Sequence, residues 1–255
     1  MVGNAPGDGL KSTGLPLLPV LKTDAHPGVD ISREYRRRFS GNAAYRDAVW
    51  STINREFFQQ FVKETDTVLD LGAGWGEFIR TIRAARRLAL DLNAEMPTRV
   101  GPGVEAFVHD FRHPWPLAEA SVDVVFSSNV FEHMPDKDTL QGVLAEALRV
   151  LRPGGTLVCI GPNIRFLPDA YWDFWDHHVP LSDRSLAEVL ELTGFTLRSV
   201  VPRFLPYTMS QGFQPPTCLI RWYLRLPLLW RVFGKQFLVV ASKPAMLGGP
   251  ATGMA

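Results

Sequence analysis

Short apolar runs alternate along the chain with amphipathic segments, which is the pattern of a parallel sheet covered by helices. The first apolar run, 67–71, is followed by glycines at the alternate positions 72, 74 and 76. Apolar residues then recur at helical spacing from Phe78 to Ala85. The stretch therefore predicts a buried strand, a turn whose backbone a ligand can approach closely, and a helix.

The same alternation continues downstream and predicts a sheet of seven strands. Further strands are predicted at 88–91, 106–110, 122–129, 156–161, 195–201 and 236–241. Helical spacing is found over 140–151, which a Pro-Gly-Gly turn follows, and over 182–192, which ends at Gly194. Strands and helices that alternate with short links are typical of an α/β protein, so we expect a doubly wound, Rossmann-like fold.

The segments outside the sheet differ from it in composition. Residues 1–28 mix glycine, proline and polar residues and are predicted to be a flexible tail, as are residues 244–255. Residues 29–64 show helical spacing in two parts, on either side of Gly41. We therefore predict one domain over 29–243 that begins with a helical cap.

Acidic residues around the glycine turn indicate the charge of the ligand. Asp70 precedes the turn, where it suits a cationic ligand that bears an amino group. A dinucleotide-binding turn would have its third glycine at position 77, where this chain has Glu77, an acid at the point that would receive a pyrophosphate. Asp91 ends the next strand, where a carboxylate can accept from two ribose hydroxyls. The residues favour an adenosine-type cation over a dinucleotide.

With this order of motifs, the chain resembles the class I S-adenosylmethionine-dependent methyltransferases from about residue 65 to about residue 200. The resemblance implies S-adenosyl-L-methionine as the cofactor and transfer of its methyl group as the activity. It also implies that the last of the seven strands is antiparallel and that the N-terminal helices partly cover the cofactor.

The resemblance further implies which residues hold the cofactor. Asp110 and Phe111 match the position that contacts the adenine amino group and ring, and Asn129 borders the methionine end. The complete set of expected cofactor-binding residues is Asp70, Gly72, Ala73, Gly74, Gly76, Asp91, Leu92, Asp110, Phe111 and Asn129. Each aspartate taken singly could instead be a turn or N-cap residue. Their order after successive strands favours ligand contact.

Three histidines are candidate catalytic bases. A hydroxyl acceptor must lose its proton, and an imidazole with an ordinary pKa of about 6.5 can take that proton at neutral pH. His133 follows the fourth strand, whereas His177 and His178 lie in an aromatic loop in which Asp176 can orient a neighbour. The alternative is that hydrogen bonds within the loops satisfy these histidines.

A metal is a second hypothesis for the same region. The segment 129–133 resembles the Glu-x-x-Glu-His element with which some methyltransferases, including small-RNA 2′-O-methyltransferases, hold a divalent metal. Here Asn129 replaces the first glutamate and is a weaker, neutral ligand, which leaves Glu132 and His133 as weak metal candidates. Glu-His pairs also shape the loop in relatives without a metal. If a histidine rather than a metal activates the acceptor, a chelator should leave the activity unchanged.

The aromatic loop over 168–180 bears on the acceptor. Its rings can form a platform for sugars, line an apolar pocket, or pack a lid onto the core. The loop, and similarity to methyltransferases of sugar and glycolipid pathways, favour O-methylation of a saccharide or glycolipid. Two alternatives are a cofactor-binding partner subunit without catalysis and an NAD-dependent oxidoreductase, which Glu77 disfavours.

Residues 202–235 form an excursion far longer than a hairpin between the last two strands needs. Within it, 217–235 predict a basic amphipathic helix with tryptophans, kinked at Pro227. The run is too short and too charged to span a membrane. A lid or dimer contact is one role for it, and peripheral docking on a membrane to reach a lipid-linked substrate is another.

Composition narrows the partners. A net charge of +1 over 255 residues shows no excess of the size that nucleic-acid binding needs, so we expect a small-molecule acceptor and no nucleic acid. Cys159 and Cys218 show neither metal spacing nor a disulfide framework, which fits a reducing cytosol. No secretion signal is evident at the start. We predict a cytoplasmic protein, with the inner membrane surface as a peripheral location, and the oligomeric state stays open.

Overall fold

The computed structural model describes residues 43–207 and 214–245, and the structural statements below refer to these residues. The helices are α1 (Ala43–Glu56), α2 (Lys137–Val150), α3 (Asp183–Thr193), α4 (Thr217–Arg225) and α5 (Pro227–Phe233). The strands are β1 (Thr67–Leu71), β2 (Arg86–Asp91), β3 (Val104–Val108), β4 (Val122–Ser128), β5 (Leu151–Pro162), β6 (Thr196–Val201) and β7 (Gln236–Ser242). The tail 1–28, the first predicted helix of 29–64 and most of the tail 244–255 lie outside the described residues.

All seven strands form one sheet in the order β3-β2-β1-β4-β5-β7-β6. The pairs among β1 to β5 are parallel, whereas β7 is antiparallel to both β5 and β6. The predicted Rossmann-like sheet with an antiparallel last strand is therefore confirmed. Strand order reverses between β1 and β4, and such a switch point opens a ligand crevice at the carboxyl ends of the strands.

Alternate residues of the central strands supply two hydrophobic layers, one on each face of the sheet. Leu69 and Leu71 of β1 belong to the layer that includes α2 and α3. Val68 belongs to the layer that includes α1 and α4. Strand β1 thus buries apolar side chains on both faces, as expected of a central parallel strand.

Two of the predicted helices begin at clear N-caps. Asp136 caps α2 by accepting a hydrogen bond from the Thr139 backbone N–H at 2.7 Å. Ser182 and Ser185 form a reciprocal capping box at the start of α3, and Gly194 ends that helix with φ of 108°. The cap and the final glycine of α3 are the signals from which that helix was predicted. Helix α2 begins three residues before the predicted start at Leu140, and the expected Pro-Gly-Gly turn after it is part of β5.

The helix predicted from Phe78 to Ala85 is wrong, because the chain there forms consecutive turns. The backbone N–H groups of Ala85 and Arg86 both donate to the Asp66 carbonyl, which draws the end of the segment back to the start of β1. Phe78, Ile79 and Ile82 are nevertheless buried, and the Phe78 ring stacks on Phe126 of β4 with centroids 3.6 Å apart. Tertiary packing satisfies the same pattern that suggested a helix.

The single kinked helix predicted within 217–235 is also corrected, since α4 and α5 are separate helices. Leu226 lies between them with φ of −120° and ψ of 83°, outside the helical region. A proline disfavours helical geometry in the residue before it, and Pro227 is well tolerated as the first residue of the next helix. None of the helices described here is long and apolar enough to cross a bilayer.

Candidate active site

The glycine turn at the carboxyl end of β1 is closed by contacts that exclude larger residues. Gly72 has φ of 72°, and a Cβ atom there would lie 2.3 Å from Cγ2 of Val130. Gly76 has φ of 78°, and a Cβ atom there would lie 2.8 Å from Cγ1 of Val100. The chain must therefore use glycine at both positions, and the turn exposes backbone rather than side chains to the crevice.

Buried carboxylates concentrate negative charge beside this turn. Asp70 is 3% exposed near the end of β1, and Asp91 is 2% exposed at the end of the neighbouring β2. Burial raises the pKa of Asp70 well above its usual range, and the charges of Asp91 and Glu77 raise it further, against a hydrogen bond from the Ile79 backbone. A positively charged ligand would relieve this repulsion, so the site fits a cationic cofactor.

Asp91 is held ready to accept further hydrogen bonds. Its Oδ2 accepts from the Gly74 backbone N–H at 2.7 Å, and its Oδ1 accepts from the Asn93 backbone N–H at 2.7 Å. Each carboxylate oxygen keeps acceptor capacity beyond one bond, so both can also accept from a ribose diol. Leu92 is half-buried beside it, and Ala73 of the turn is buried.

The residues expected at the adenine end lie just beyond β3. Asp110 accepts hydrogen bonds from the Arg112 guanidinium, and this pairing outweighs burial and lowers the pKa of the Asp110 carboxyl. Phe111 is buried in the core layer shared with α2, and its carbonyl accepts from the Trp115 indole at 2.8 Å. Arg112 thus positions the anionic Asp110 carboxylate, and the Phe111 ring packs in the core layer.

Asn129 marks the carboxyl end of β4. It adopts a left-handed conformation with φ of 55°, which asparagine tolerates better than most residues. Its backbone N–H donates to the Ile160 carbonyl at 2.9 Å, and its side-chain amide donates to Oγ of Ser128 at 3.0 Å. The turn that follows carries Val130 against Gly72, so β4 and the glycine turn meet directly.

Two arginines from other parts of the chain border the turn, and the sequence analysis did not find them. Arg46 of α1 pairs with Glu77 at 3.1 Å. The guanidinium groups of Arg46 and Arg99 lie 5.1 Å and 4.7 Å from the centre of the Trp75 ring. Cation–π contacts of this kind fix the Trp75 side chain over the turn. No local pattern marks either arginine as a site residue.

His133 is the histidine with the most ordered surroundings. Its Nδ1 lies 2.9 Å from Oδ2 of Asp176, close enough for that carboxylate to orient the ring. Burial alone would lower the pKa of His133, but the hydrogen bond to Asp176 and the charge of Glu132 raise that pKa to about 9. The His133 ring is therefore mostly protonated at neutral pH, and its neutral fraction can accept a proton.

The other candidate bases lie next to this pair in different settings. The buried His177 ring lies 5.0 Å from the His133 ring and stacks on Phe174. His178 is exposed, and its backbone N–H donates to the Glu132 carbonyl at 2.9 Å. The structure brings all three predicted histidines to one place, beyond the end of β4.

Glu132, His133 and His177 also present ligand atoms within 4.8 Å of one another. Two histidines and one carboxylate are a donor set that divalent metals accept. The structure thus joins the two weak metal candidates and adds His177. Charge pairing between protonated His133 and its two acidic neighbours accounts for the same arrangement.

The aromatic loop that follows β5 has an inner and an outer set of rings. Tyr171 is fully buried, donates its hydroxyl proton to the Val179 carbonyl, and accepts from the Leu181 backbone N–H at 3.0 Å. Trp172 and Trp175 are exposed, the latter by 90%. The predicted lid packing and the predicted exposed platform therefore both describe part of this loop.

Comparison with known proteins agrees with this geometry. Residues 69–159 match the family model of a methyltransferase domain. A probable S-adenosylmethionine-dependent methyltransferase of Mycolicibacterium smegmatis is 32% identical over 143 residues, which cover 54% of each protein. An uncharacterized 37.1 kDa protein in transposon Tn4556 of Streptomyces fradiae is 28% identical, over 72% of this chain and 61% of its own length. The chain thus spans less than two thirds of either relative.

Solved structures show the same architecture. A S-adenosylmethionine-dependent methyltransferase of Archaeoglobus fulgidus superposes with a TM-score of 0.60 at 20% identity, over 84% of this chain and all of that one. At this identity, the superposition supports the fold alone. The match over residues 69–159 and the relatives support a methyltransferase domain of the class I S-adenosylmethionine-dependent type in this part of the chain.

Proposed function

We propose that this protein transfers a methyl group from S-adenosylmethionine to a hydroxyl oxygen of a saccharide or glycolipid. The observation that carries the proposal is the meeting of two features at one edge of the sheet. Buried Asp70 and Asp91 border the glycine turn, and the His133–Asp176 pair lies just beyond β4, the strand next to β1. One feature suits a cationic cofactor and the other suits removal of a proton.

Each residue has a defined task in this proposal. Asp91 binds the ribose diol, while Asp70 and Glu77 supply negative charge for the cationic amino group. The bound cofactor supplies an electrophilic methyl group on a positively charged sulfur. Holding two reactants in line can lower a barrier by about 7 to 11 kcal/mol, so the rigid turn and strand ends contribute through positioning.

His133 is the base that the surroundings favour. If Nδ1–H donates to Asp176, Nε2 is left to accept the acceptor's proton. A pKa of about 9 leaves roughly one His133 in a hundred neutral at pH 7, but that neutral form is a stronger base than an ordinary imidazole. The proposal therefore links turnover to alkaline pH.

The exposed rings of the aromatic loop support a sugar acceptor. Trp172 and Trp175 present flat apolar faces to solvent on the connection that leaves the carboxyl end of β5. A ring face of this kind packs well against the C–H face of a sugar, whose hydroxyls stay solvated. Tyr171 anchors the loop from inside, and its ring lies 5.3 Å from the Trp172 ring.

The acceptor is testable by labelling. Purified protein incubated with methyl-labelled cofactor and cell extract should transfer the label to a molecule whose mass fragments contain a sugar ring. Heat-treated protein is the control. Label found on protein or nucleic acid would contradict the proposed acceptor class. Cofactor binding without any labelled product would instead favour a partner subunit without catalysis.

The role of Asp91 predicts a loss of cofactor affinity. Asp91→Ala removes two charge-assisted hydrogen bonds to the ribose, each worth about 1.5 to 3 kcal/mol at most, so S-adenosylhomocysteine should bind at least about tenfold more weakly. Calorimetric titration measures this. Glu188→Gln, an exposed acid on α3, is the matched control and should bind as wild type does. Equal affinity in Asp91→Ala, or a wild-type preference for NAD, would remove the assignment.

The base hypothesis predicts a pH profile. Turnover should rise from pH 7 towards the His133 pKa of about 9, since the neutral form is the base. His133→Ala should lower turnover by about 10² to 10⁴-fold while S-adenosylhomocysteine still binds. His178→Ala, which removes an exposed ring, should lower it less. EDTA should leave wild-type activity unchanged.

Two results would overturn this hypothesis in different ways. Full activity in His133→Ala would show that the ring does not take the proton. Activity lost in EDTA and restored by a divalent ion would assign Glu132, His133 and His177 to a metal instead.

A further inference from the structure

An apolar surface on α4 and α5 has no role in the proposed site. In the described part of the chain, eleven large apolar side chains are exposed, and six of them lie within fifteen residues of sequence. These six, which we call the outer face, are Leu219, Trp222, Leu226, Leu228, Val232 and Phe233. Their exposed fractions run from 46% to 74%, so the outer face is a concentrated patch rather than scattered single residues.

The opposite side of α4 is fixed to the domain. Ile220 and Leu224 are buried in the layer shared with α1. The Tyr45 hydroxyl donates to the Pro215 carbonyl at 2.8 Å, near the starts of α1 and α4. Near their ends, Arg225 pairs with Glu56 at 2.7 Å. Helices α1 and α4 therefore run side by side in the same direction.

Hydrogen bonds also hold α5 in place. The Trp230 indole donates to the Tyr223 carbonyl at 2.8 Å, which ties α5 to α4. Arg203 donates to the Gly234 carbonyl at 2.7 Å and to the Val232 carbonyl at 2.6 Å, so it caps the end of α5. The outer face is thus displayed by an anchored pair of helices, with its apolar side chains turned outward.

The charged side chains of residues 192–255 are all positive. No aspartate or glutamate follows Glu191 in the sequence. The cations after it are Arg198, Arg203, Arg221, Arg225, Arg231, Lys235 and Lys243. Residues 192–255 therefore carry a formal charge of +7 in a chain whose net charge is +1. Such a segment attracts an anionic partner.

The excursion that carries the outer face starts and ends at the same edge of the sheet as the site. The excursion leaves β6 after Val201, which lies opposite Leu238, and enters β7 at Gln236, which lies opposite Pro162. Pro162 is the carboxyl end of β5, so the excursion starts and ends at the carboxyl edge. The excursion therefore joins the sheet at the edge that carries the glycine turn and His133, and α4 runs from that edge along α1.

We propose that the outer face docks on an anionic membrane surface. Exposed tryptophan and aliphatic side chains next to arginine and lysine are the composition with which helices lie in the interface of a lipid bilayer. A symmetric contact between two copies of this chain would bring the same cations against each other, which disfavours a dimer through this face. The proposal does not depend on methyl transfer, since docking needs neither cofactor nor acceptor.

Structure also separates the cations by role. Arg221 and Arg225 both pair with Glu56, so they help to hold α4 on α1. Arg231 and Lys235 are exposed at the end of the excursion and are the cations best placed for lipid headgroups. Substituting Arg231 and Lys235 therefore tests lipid binding without releasing α4.

The experiment is vesicle co-sedimentation with full-length protein. Vesicles of phosphatidylcholine alone are compared with vesicles that contain phosphatidylglycerol, at about 0.05 M and at about 1 M salt, where screening acts beyond about 3 Å. The protein should pellet with the anionic vesicles at low salt and be released at high salt. Each cation near an anionic surface contributes roughly fivefold in partitioning, so Arg231→Gln with Lys235→Gln should lower it about 25-fold.

The apolar contribution is tested separately. Trp222→Gln with Leu228→Gln should lower pelleting at least about tenfold, because both side chains are exposed in the free protein and should insert at the interface. The controls are Leu192→Gln and Arg184→Gln, exposed residues of α3 that should leave vesicle binding unchanged. Retained S-adenosylhomocysteine binding in every variant confirms the fold.

Two outcomes would overturn the proposal. One is wild-type protein that stays in the supernatant with anionic vesicles at low salt. The other is a dimer in analytical ultracentrifugation that Trp222→Gln with Leu228→Gln dissociates, since the outer face would then contact a second copy. Neither outcome bears on the cofactor titrations, so this surface can fail while the methyltransferase assignment holds.

Discussion

Repulsion between buried carboxylates is the constraint on which the candidate site depends. Parallel pairing of β1 with β2 brings Asp70 and Asp91 to the same edge, and the glycine turn adds Glu77 beside them. Burying like charges costs free energy unless a cation compensates. Arg46 pairs with Glu77, but Asp70 keeps a raised pKa. These carboxylates therefore favour binding of a positively charged ligand.

Helix α1 connects the two surfaces that this account uses. Near its start, Arg46 pairs with Glu77 beside the glycine turn, and at its end Glu56 pairs with Arg221 and Arg225 of α4. Ten residues of helix separate these contacts, a span of about 15 Å at 1.5 Å per residue. A rigid helix of this length ties the cofactor edge to the outer face, so a membrane bound at one would lie at a fixed distance from the other.

The sequence predicted the features that local chemistry determines. The strand ends at Asp70 and Asp91, the glycine turn and the capped α3 depend on neighbouring residues, and each lies where the pattern placed it. The helix predicted over 78–85 is wrong because a distant contact, with the Asp66 carbonyl, decides the path of that segment. The single helix predicted within 217–235 is wrong because the Leu226–Pro227 step breaks the helix, where only a kink was expected. Partners far apart in sequence, such as Arg46 with Glu77, leave no periodic signal, and only the folded chain shows them.

The most direct test of the central claim is the affinity for S-adenosylhomocysteine as a function of pH, from about 5 to 8. The cofactor's amino group stays cationic in this range and favours ionised Asp70, whose raised pKa means that acid protonates it first. The account predicts affinity that rises with pH in the wild type and a weaker, flatter profile in Asp70→Asn. Identical profiles for the two proteins, or wild-type affinity that falls as pH rises, would contradict it.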